Sequence, residues 1–135
     1  MKILRYYLSK SEMTRRSEKI QRIEKIVIYK IKSSKSALEY RLYIENLKRQ
    51  DDVYFSVHYI IDRTGNILNI IPEKEVSIHD EKDLNINYIT MSILVLEDEK
   101  EEFNEEAVSS LLERLVKKYN LNINTDVIIK DTNLK

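Results

Sequence analysis

In 135 residues there is one glycine and one proline, and both fall inside the same short stretch. A chain so poor in breakers has few places to reverse direction, so this stretch constrains its fold more than any other. Residues 54–76 read YFSVHYIIDRTGNILNIIPEKEV. The segment 54–62 is rich in aromatic and β-branched side chains. Strand alternation puts Phe55, Val57, Tyr59 and Ile61 on one face and Ser56, His58, Ile60 and Asp62 on the other. Arg63-Thr64-Gly65-Asn66 makes the turn, with Gly65 where a positive φ is needed. Residues 67–71 return as the second strand. Pro72, which lacks an N–H, ends the ladder.

The rest of the chain alternates strand and helix signals. Residues 2–8 are a short apolar stretch, and 9–20 read as a polar, basic surface arm. KIVIYKI, residues 25–31, has the unbroken β-branched character of a buried strand. Ser36 and Glu39 have capping-box spacing. Ala37, Tyr40, Tyr43, Ile44 and Leu47 then recur at helical spacing, which predicts a helix over 37–49. Residues 73–83 are polar, with Val76 and Ile78 as anchors, and 84–88 read as irregular. TMSILVL, residues 90–96, is a second continuous apolar strand, followed by an acidic loop over 97–102. Asn104 is an N-cap for a helix whose apolar positions run from Val108 to Tyr119. Residues 127–129 make a last short strand. The expected fold class is α/β, a single domain with a central mixed β-sheet flanked by helices.

Composition bounds the function. The chain is 42% hydrophobic, enough for a core, and 34% charged. Lys+Arg and Asp+Glu both total 23, so net charge argues for neither nucleic acid nor a membrane surface. The distribution is uneven: residues 1–35 hold eleven Lys/Arg against three Glu, while 73–106 are mostly acidic. That asymmetry fits two solvated surfaces, or a polar contact between protomers or with a partner. With no cysteine, there is no disulfide, no thiol nucleophile and no Cys-type metal site. No apolar run is long enough to span a bilayer, and the N-terminus has no signal-peptide h-region. The expected location is cytoplasmic as synthesised, with release by another factor if the protein works outside.

The pattern S-x-H-Y-I-I-D-x-x-G-x-I-x-x-I-P-E-x-E-V, with His79 three residues later, resembles the central signature of the zinc-dependent N-acetylmuramoyl-L-alanine amidases. That family includes many phage endolysins and the peptidoglycan-recognition proteins. The resemblance covers about residue 20 to the C-terminus, with 1–20 as an N-terminal strand and basic arm and 21–135 as the amidase-like core. It implies the family's sheet-and-helix fold and peptidoglycan as the partner. At the N-terminus, Ser11-Glu12-Met13-Thr14-Arg15-Arg16 stands where the family's loop carries proline and glycine, and has neither.

The resemblance also says where the family's chemistry would sit. A zinc site that cleaves an amide needs three protein ligands and an open position for water. The family's first ligand, a histidine directly after the I-V-I strand, falls here on Tyr29. Its second histidine falls on Asp131, or on Lys130 if the alignment slips by one. The chain stops at Lys135, before the third ligand's segment, so a C-terminally truncated member is expected. The catalytic glutamate of S-I-G-I-E falls on Leu94 within Thr90-Met91-Ser92-Ile93-Leu94. In many members a tyrosine precedes the hairpin histidine; here it is Val57. The resemblance thus implies a catalytically inactive amidase-like domain without zinc, whose ligand groove lies near Tyr29, His79, Leu94 and Asp131.

The two histidines carry alternatives. His58 reads as a structural, hydrogen-bonded strand residue. His79 aligns with a groove-wall histidine and reads as either an exposed loop residue or a contact to glycan or peptide. A new metal site from His58, His79 and Asp80 is a third option, and no nucleophile motif supports a Ser–His–Asp hydrolase. Three functions are expected from this, in order: a peptidoglycan or muropeptide binder that does not cut; a protein-interaction or assembly module derived from an endolysin, with a protein partner or homodimer covering a bare sheet edge; and a residual amidase with an unorthodox site.

Overall fold

The computed structural model describes residues 1–47, 51, 53–97 and 104–131. Six strands form one mixed sheet in the order β1-β4-β3-β5-β2-β6. They are β1 (Ile3–Arg5), β2 (Lys25–Lys32), β3 (Tyr59–Ile61), β4 (Ile67–Asn69), β5 (Thr90–Glu97) and β6 (Val127–Asp131). The helices are α1 (Ala37–Glu45), α2 (Leu84–Asn87) and α3 (Glu105–Lys118). Strands β3, β5, β2 and β6 run parallel, and β4 is antiparallel to β3. No helix among the described residues is long and apolar enough to cross a membrane.

Strands β2 and β5 are continuous apolar runs because both their faces are covered. One face carries Val27, Tyr29, Ile31, Leu94 and Leu96 under Ala37, Tyr40 and Ile44 of α1. The other carries Ile26, Ile28, Met91, Ile93 and Val95 against Val108, Leu111 and Leu115 of α3. Each fully buried Ile or Leu contributes about 2 kcal/mol of transfer free energy.

The helix starts follow their sequence signals. Ser36 and Glu39 form a full capping box, and Asn104 accepts from the Ala107 N–H at 2.9 Å. Helix α1 is shorter than its periodicity predicts, ending at Glu45 with Asn46 as C-cap. The remainder of that expectation, over 48–49, lies outside the described residues, as does the acidic loop over 98–102. Residues 84–87 form a short helix rather than an irregular approach. Strand β6 runs two residues beyond its expected end. The segment 9–20 is no loose arm. Arg15 makes a bidentate pair with Glu75 at 2.9 and 3.0 Å, and the Ile20 N–H bonds the Lys74 carbonyl.

The hairpin departs most from simple alternation. Ladder pairing is confined to β3 and β4, and the chain bends at His58. Phe55 and Val57 therefore join the α1-side cluster with Ile60, while Tyr59 and Ile61 face α3. The four residues expected on one face are split between two. The switch falls at His58, whose buried ring bonds the Glu75 carbonyl.

Asp62 holds the turn. Its buried carboxylate accepts from the Thr64 N–H at 3.1 Å, the Thr64 hydroxyl at 2.8 Å and the Asn66 N–H at 3.0 Å. It also accepts from the Ala37 N–H at 2.9 Å, which fastens the first turn of α1 to the hairpin. Gly65 sits at φ +89°, and a Cβ there would lie 3.2 Å from the Asn104 side chain. Burial pushes the Asp62 carboxyl up, but the hydrogen bonds from Ala37, Thr64 and Asn66 outweigh it and hold it below the usual carboxylate range. A depressed folded pKa gives stability that is present above the unfolded value and lost as pH falls through the folded one. Asp62→Ala strands several buried donors and is expected to cost about 2–3 kcal/mol in urea denaturation at pH 7. The deficit should shrink as pH falls below the ordinary aspartate range and the folded carboxyl takes up its proton; a change under about 0.5 kcal/mol at pH 7 contradicts this role.

Candidate functional site

The parallel register sets one row of residues straight across the sheet. Ile60 pairs with Leu94, Leu94 with Tyr29, and Tyr29 with Lys130. Asp131 pairs with Lys30, one position further along the strand. Of the two positions open in the sequence for the second family histidine, Lys130 is the one in the row.

His79 comes to this row from the loop after β4. Asn87 holds that loop: its side-chain oxygen accepts from the His79 and Asp80 N–H groups at 3.3 and 3.1 Å, and its amide donates to the Asp80 carbonyl at 2.9 Å. The sequence offers His79 as exposed or as a groove wall. In the structure it is 8% exposed and packed edge-on against Tyr29, ring centroids 5.5 Å apart. Phe55 also packs edge-on against the Tyr29 ring, at 6.2 Å.

A chain of hydrogen bonds runs through these side chains. Thr90 Oγ1 donates to the Ile86 carbonyl at 2.8 Å and is left to accept from His79 Nε2–H, also at 2.8 Å. That assigns the proton to Nε2 and leaves Nδ1 bare. Tyr29 donates its hydroxyl proton to Nδ1 at 2.6 Å. Burial pushes the Tyr29 phenol up to about 12, with the Asp80 carboxylate adding to the shift. Burial, together with His58 and Lys130, holds His79 down at about 3 despite the opposing Asp80 charge. The pair is therefore a neutral phenol on a neutral imidazole, with both ring nitrogens bonded and the phenol proton committed to Nδ1.

Leu94 is fully buried in the row and carries no polar group. Tyr29 is 6% exposed. Among the described residues at this end of the row, Lys130 is exposed and Asp80 half-buried. Thr90, Asn87 and Phe55 complete the site and were not singled out in the sequence. Nothing short of the fold brings Thr90 under a histidine eleven residues earlier.

His58 lies on the adjoining side and is fully buried. Its Nε2–H donates to the Glu75 carbonyl at 2.7 Å, and its Nδ1 accepts from the Ser92 N–H at 3.1 Å. The structural reading of this residue holds. Ser92 and Ser77 share a hydrogen bond of 2.6 Å beside it, both without solvent access, so no nucleophile is offered. Among the described residues, no three His, Asp or Glu side chains gather as a metal site would require, which leaves the grouping of His58, His79 and Asp80 unformed.

Burial holds His58 at about 4 against the opposing influence of Glu75 and Glu73. The unfolded chain takes up this proton near 6.5 and the folded chain near 4. His58 thus supports folding fully above pH 6.5 and progressively less as pH falls to 4, a loss on the order of 3 kcal/mol. An NMR titration should show no protonation of the His58 ring between pH 8 and 5, with unfolding free energy falling below pH 6.5. A ring titrating near 6.5 contradicts this burial.

A family profile described as N-acetylmuramoyl-L-alanine amidase matches residues 19–133 of the chain. No individually curated protein sequence matches it. Among solved structures, a mutant endolysin from Bacillus subtilis is 18% identical with a TM-score of 0.75, the match covering 96% of this chain and 83% of that one. The structure of PlyL is 13% identical with a TM-score of 0.76, over 96% and 80% of the two chains. The N-acetylmuramoyl-L-alanine amidase LysC from Clostridium intestinale is 17% identical with a TM-score of 0.63, over 96% and 82%. At these identities the structural likenesses speak for the fold, and they agree with the single mixed-sheet domain expected from the sequence.

Proposed function

This chain belongs to the N-acetylmuramoyl-L-alanine amidase family, and we propose that it serves as a peptidoglycan-binding domain of that family which does not cut its ligand. The observation that carries the reading is the closed chain Tyr29–His79–Thr90 at the first metal-ligand position implied by the resemblance. Zinc requires donors with free lone pairs that ionise or coordinate readily. Tyr29 is engaged with His79 and holds its proton to about pH 12. Leu94 has no donor, and Lys130, in register with Tyr29, brings a cation. These residues do not fit the metal, and no step of amide hydrolysis is derived through it.

Binding draws support from the parts of the family pattern that are kept. The hairpin, the exit at Pro72 and the loop carrying His79 are all in place, and the domain retains the fold of amidases. Lys130 and Asp80 stand at the surface above the buried dyad. A peptidoglycan stem peptide carries carboxylates and amides that such a pair would meet by charge-assisted hydrogen bonds. Tyr29, His79 and Leu94 then act as the packed floor beneath that surface.

Co-sedimentation with purified peptidoglycan sacculi tests this. The protein should pellet equally with zinc and with chelator, release no soluble fragments, and pellet several-fold less as Lys130→Glu. Fragments released in zinc and not in chelator would overturn the non-cutting reading. A protein left in the supernatant in both conditions would overturn the binding reading.

A further inference from the structure

Among the described residues, strand β1 is an edge of the sheet and pairs on one side only, with β4. The Tyr6 N–H bonds the Asn69 carbonyl at 3.0 Å, so alternation turns the Arg5 N–H and its carbonyl outward from the sheet. Edge groups of this kind are a template for another strand. Beside them lies a cleft of about 580 Å³, the size of a ligand site, floored by the Asp62–Asn66 turn and walled by the first turns of α1 and α3. None of the Tyr29-site residues lines it.

Exposed apolar side chains gather here. Among the described residues, six of the ten large apolar side chains that face solvent belong to this edge and the adjoining face of α1: Met1, Leu4, Tyr6, Tyr7, Leu38 and Leu42. Leu4 and Leu38, each about half exposed, line the cleft itself. Arg41 lies 3.5 Å above the Tyr6 ring and bonds the Tyr6 and Tyr7 carbonyls, which fixes the strand's far end against α1. The edge is therefore held in place, not frayed.

Charge selects the occupant. Lys2, Arg5 and Lys10 are exposed on this edge, and among the described residues none of them is in an ion pair. Of the acids nearby, Glu39 is engaged in the capping box and Glu45 holds the Ser9 N–H; Glu106 sits on the cleft's far wall. A second copy joined through β1 would gather two sets of Lys2 and Arg5 cations along one seam, an unfavourable like-charge juxtaposition. A flexible polyanion would satisfy the cations and leave the leucines and the strand edge bare.

We propose that the β1 edge and its cleft receive an extended peptide segment of another protein, alternating apolar and acidic residues, which adds a seventh strand to the sheet. Along the docked strand, apolar side chains lie over Leu4 and Leu38, and the acidic ones between them face the Arg5 side. Main-chain hydrogen bonds to the Arg5 peptide groups give affinity, and the alternation gives register. This inference stands apart from the wall-binding reading, which concerns other residues.

The test is an NMR titration of the isotopically labelled full chain with a capped peptide of about six residues alternating valine and glutamate. Shifts are expected at residues 3–7 and 36–42, with new exchange protection of the Arg5 amide. Affinity should fall at least roughly tenfold for the exposed-site variant Arg5→Glu, as for the wild type with a valine–lysine peptide. Circular dichroism on Arg5→Glu should show the fold unchanged. The proposal is overturned by shifts that map to β6 or to the Tyr29 site. It is also overturned by equal binding of the valine–lysine peptide, by no binding at all, or by poly(glycerol phosphate) producing the same shifts. Light scattering that shows a dimer lost in Arg5→Glu would assign the edge to a second copy instead.

Discussion

Two imidazoles are carried into the interior of this sheet, and neither can bring a charge with it. Desolvation makes the protonated form too costly, so each ring must be neutral and both its nitrogens must be bonded. Much of the local architecture follows from that requirement. At the bend before β3, His58 takes the Glu75 carbonyl and the Ser92 N–H, which fastens the exit loop beneath the sheet. His79 takes Thr90 and Tyr29, which pulls the following loop over the row formed by β3, β5, β2 and β6.

The two networks differ in what they leave for function. Around His58, the loop and strand are closed without remainder, and the residue serves the fold. Around His79, the phenol of Tyr29 supplies the proton that a neutral Nδ1 accepts, so two groups with chemical potential satisfy each other. Placed beside Leu94 and Lys130, that mutual satisfaction is the basis of the proposal of a surface that holds its ligand without cutting it. The family's scaffold and the family's chemistry are separable in physical terms: the first rests on two apolar faces of a sheet, the second on a few polar groups in one row.

The elements that read most clearly in the sequence were those in which one local rule decides the outcome. KIVIYKI and TMSILVL became buried parallel strands because nothing but a two-sided core accommodates such runs, and Asn104 and Ser36 capped their helices as their spacing required. The hairpin turn followed from a single glycine and the aspartate before it. Alternation failed over residues 54–62, where the facing switches at the buried His58 ring. Periodicity overran α1, since Leu47 lies just past the C-cap and packs into the core without continuing the helix. The candidate site was legible at Tyr29 and His79 through the family pattern, but not their contact, which depends on a loop held by Asn87. The choice between Lys130 and Asp131 turned on register, a property of paired strands that no single strand's sequence contains.

The most direct measurement is of the His79 ring nitrogens by long-range nitrogen–proton NMR at pH 7, before and after a stoichiometric addition of zinc. The expected result is a neutral ring protonated at Nε2, a Tyr29 hydroxyl proton slow to exchange, a clear change in the Nδ1 shift in Tyr29→Phe, and no response to the metal. A His79 nitrogen that moves to a metal-bound shift on adding zinc, or an Nδ1 unaffected by Tyr29→Phe, would contradict the closed, metal-free dyad.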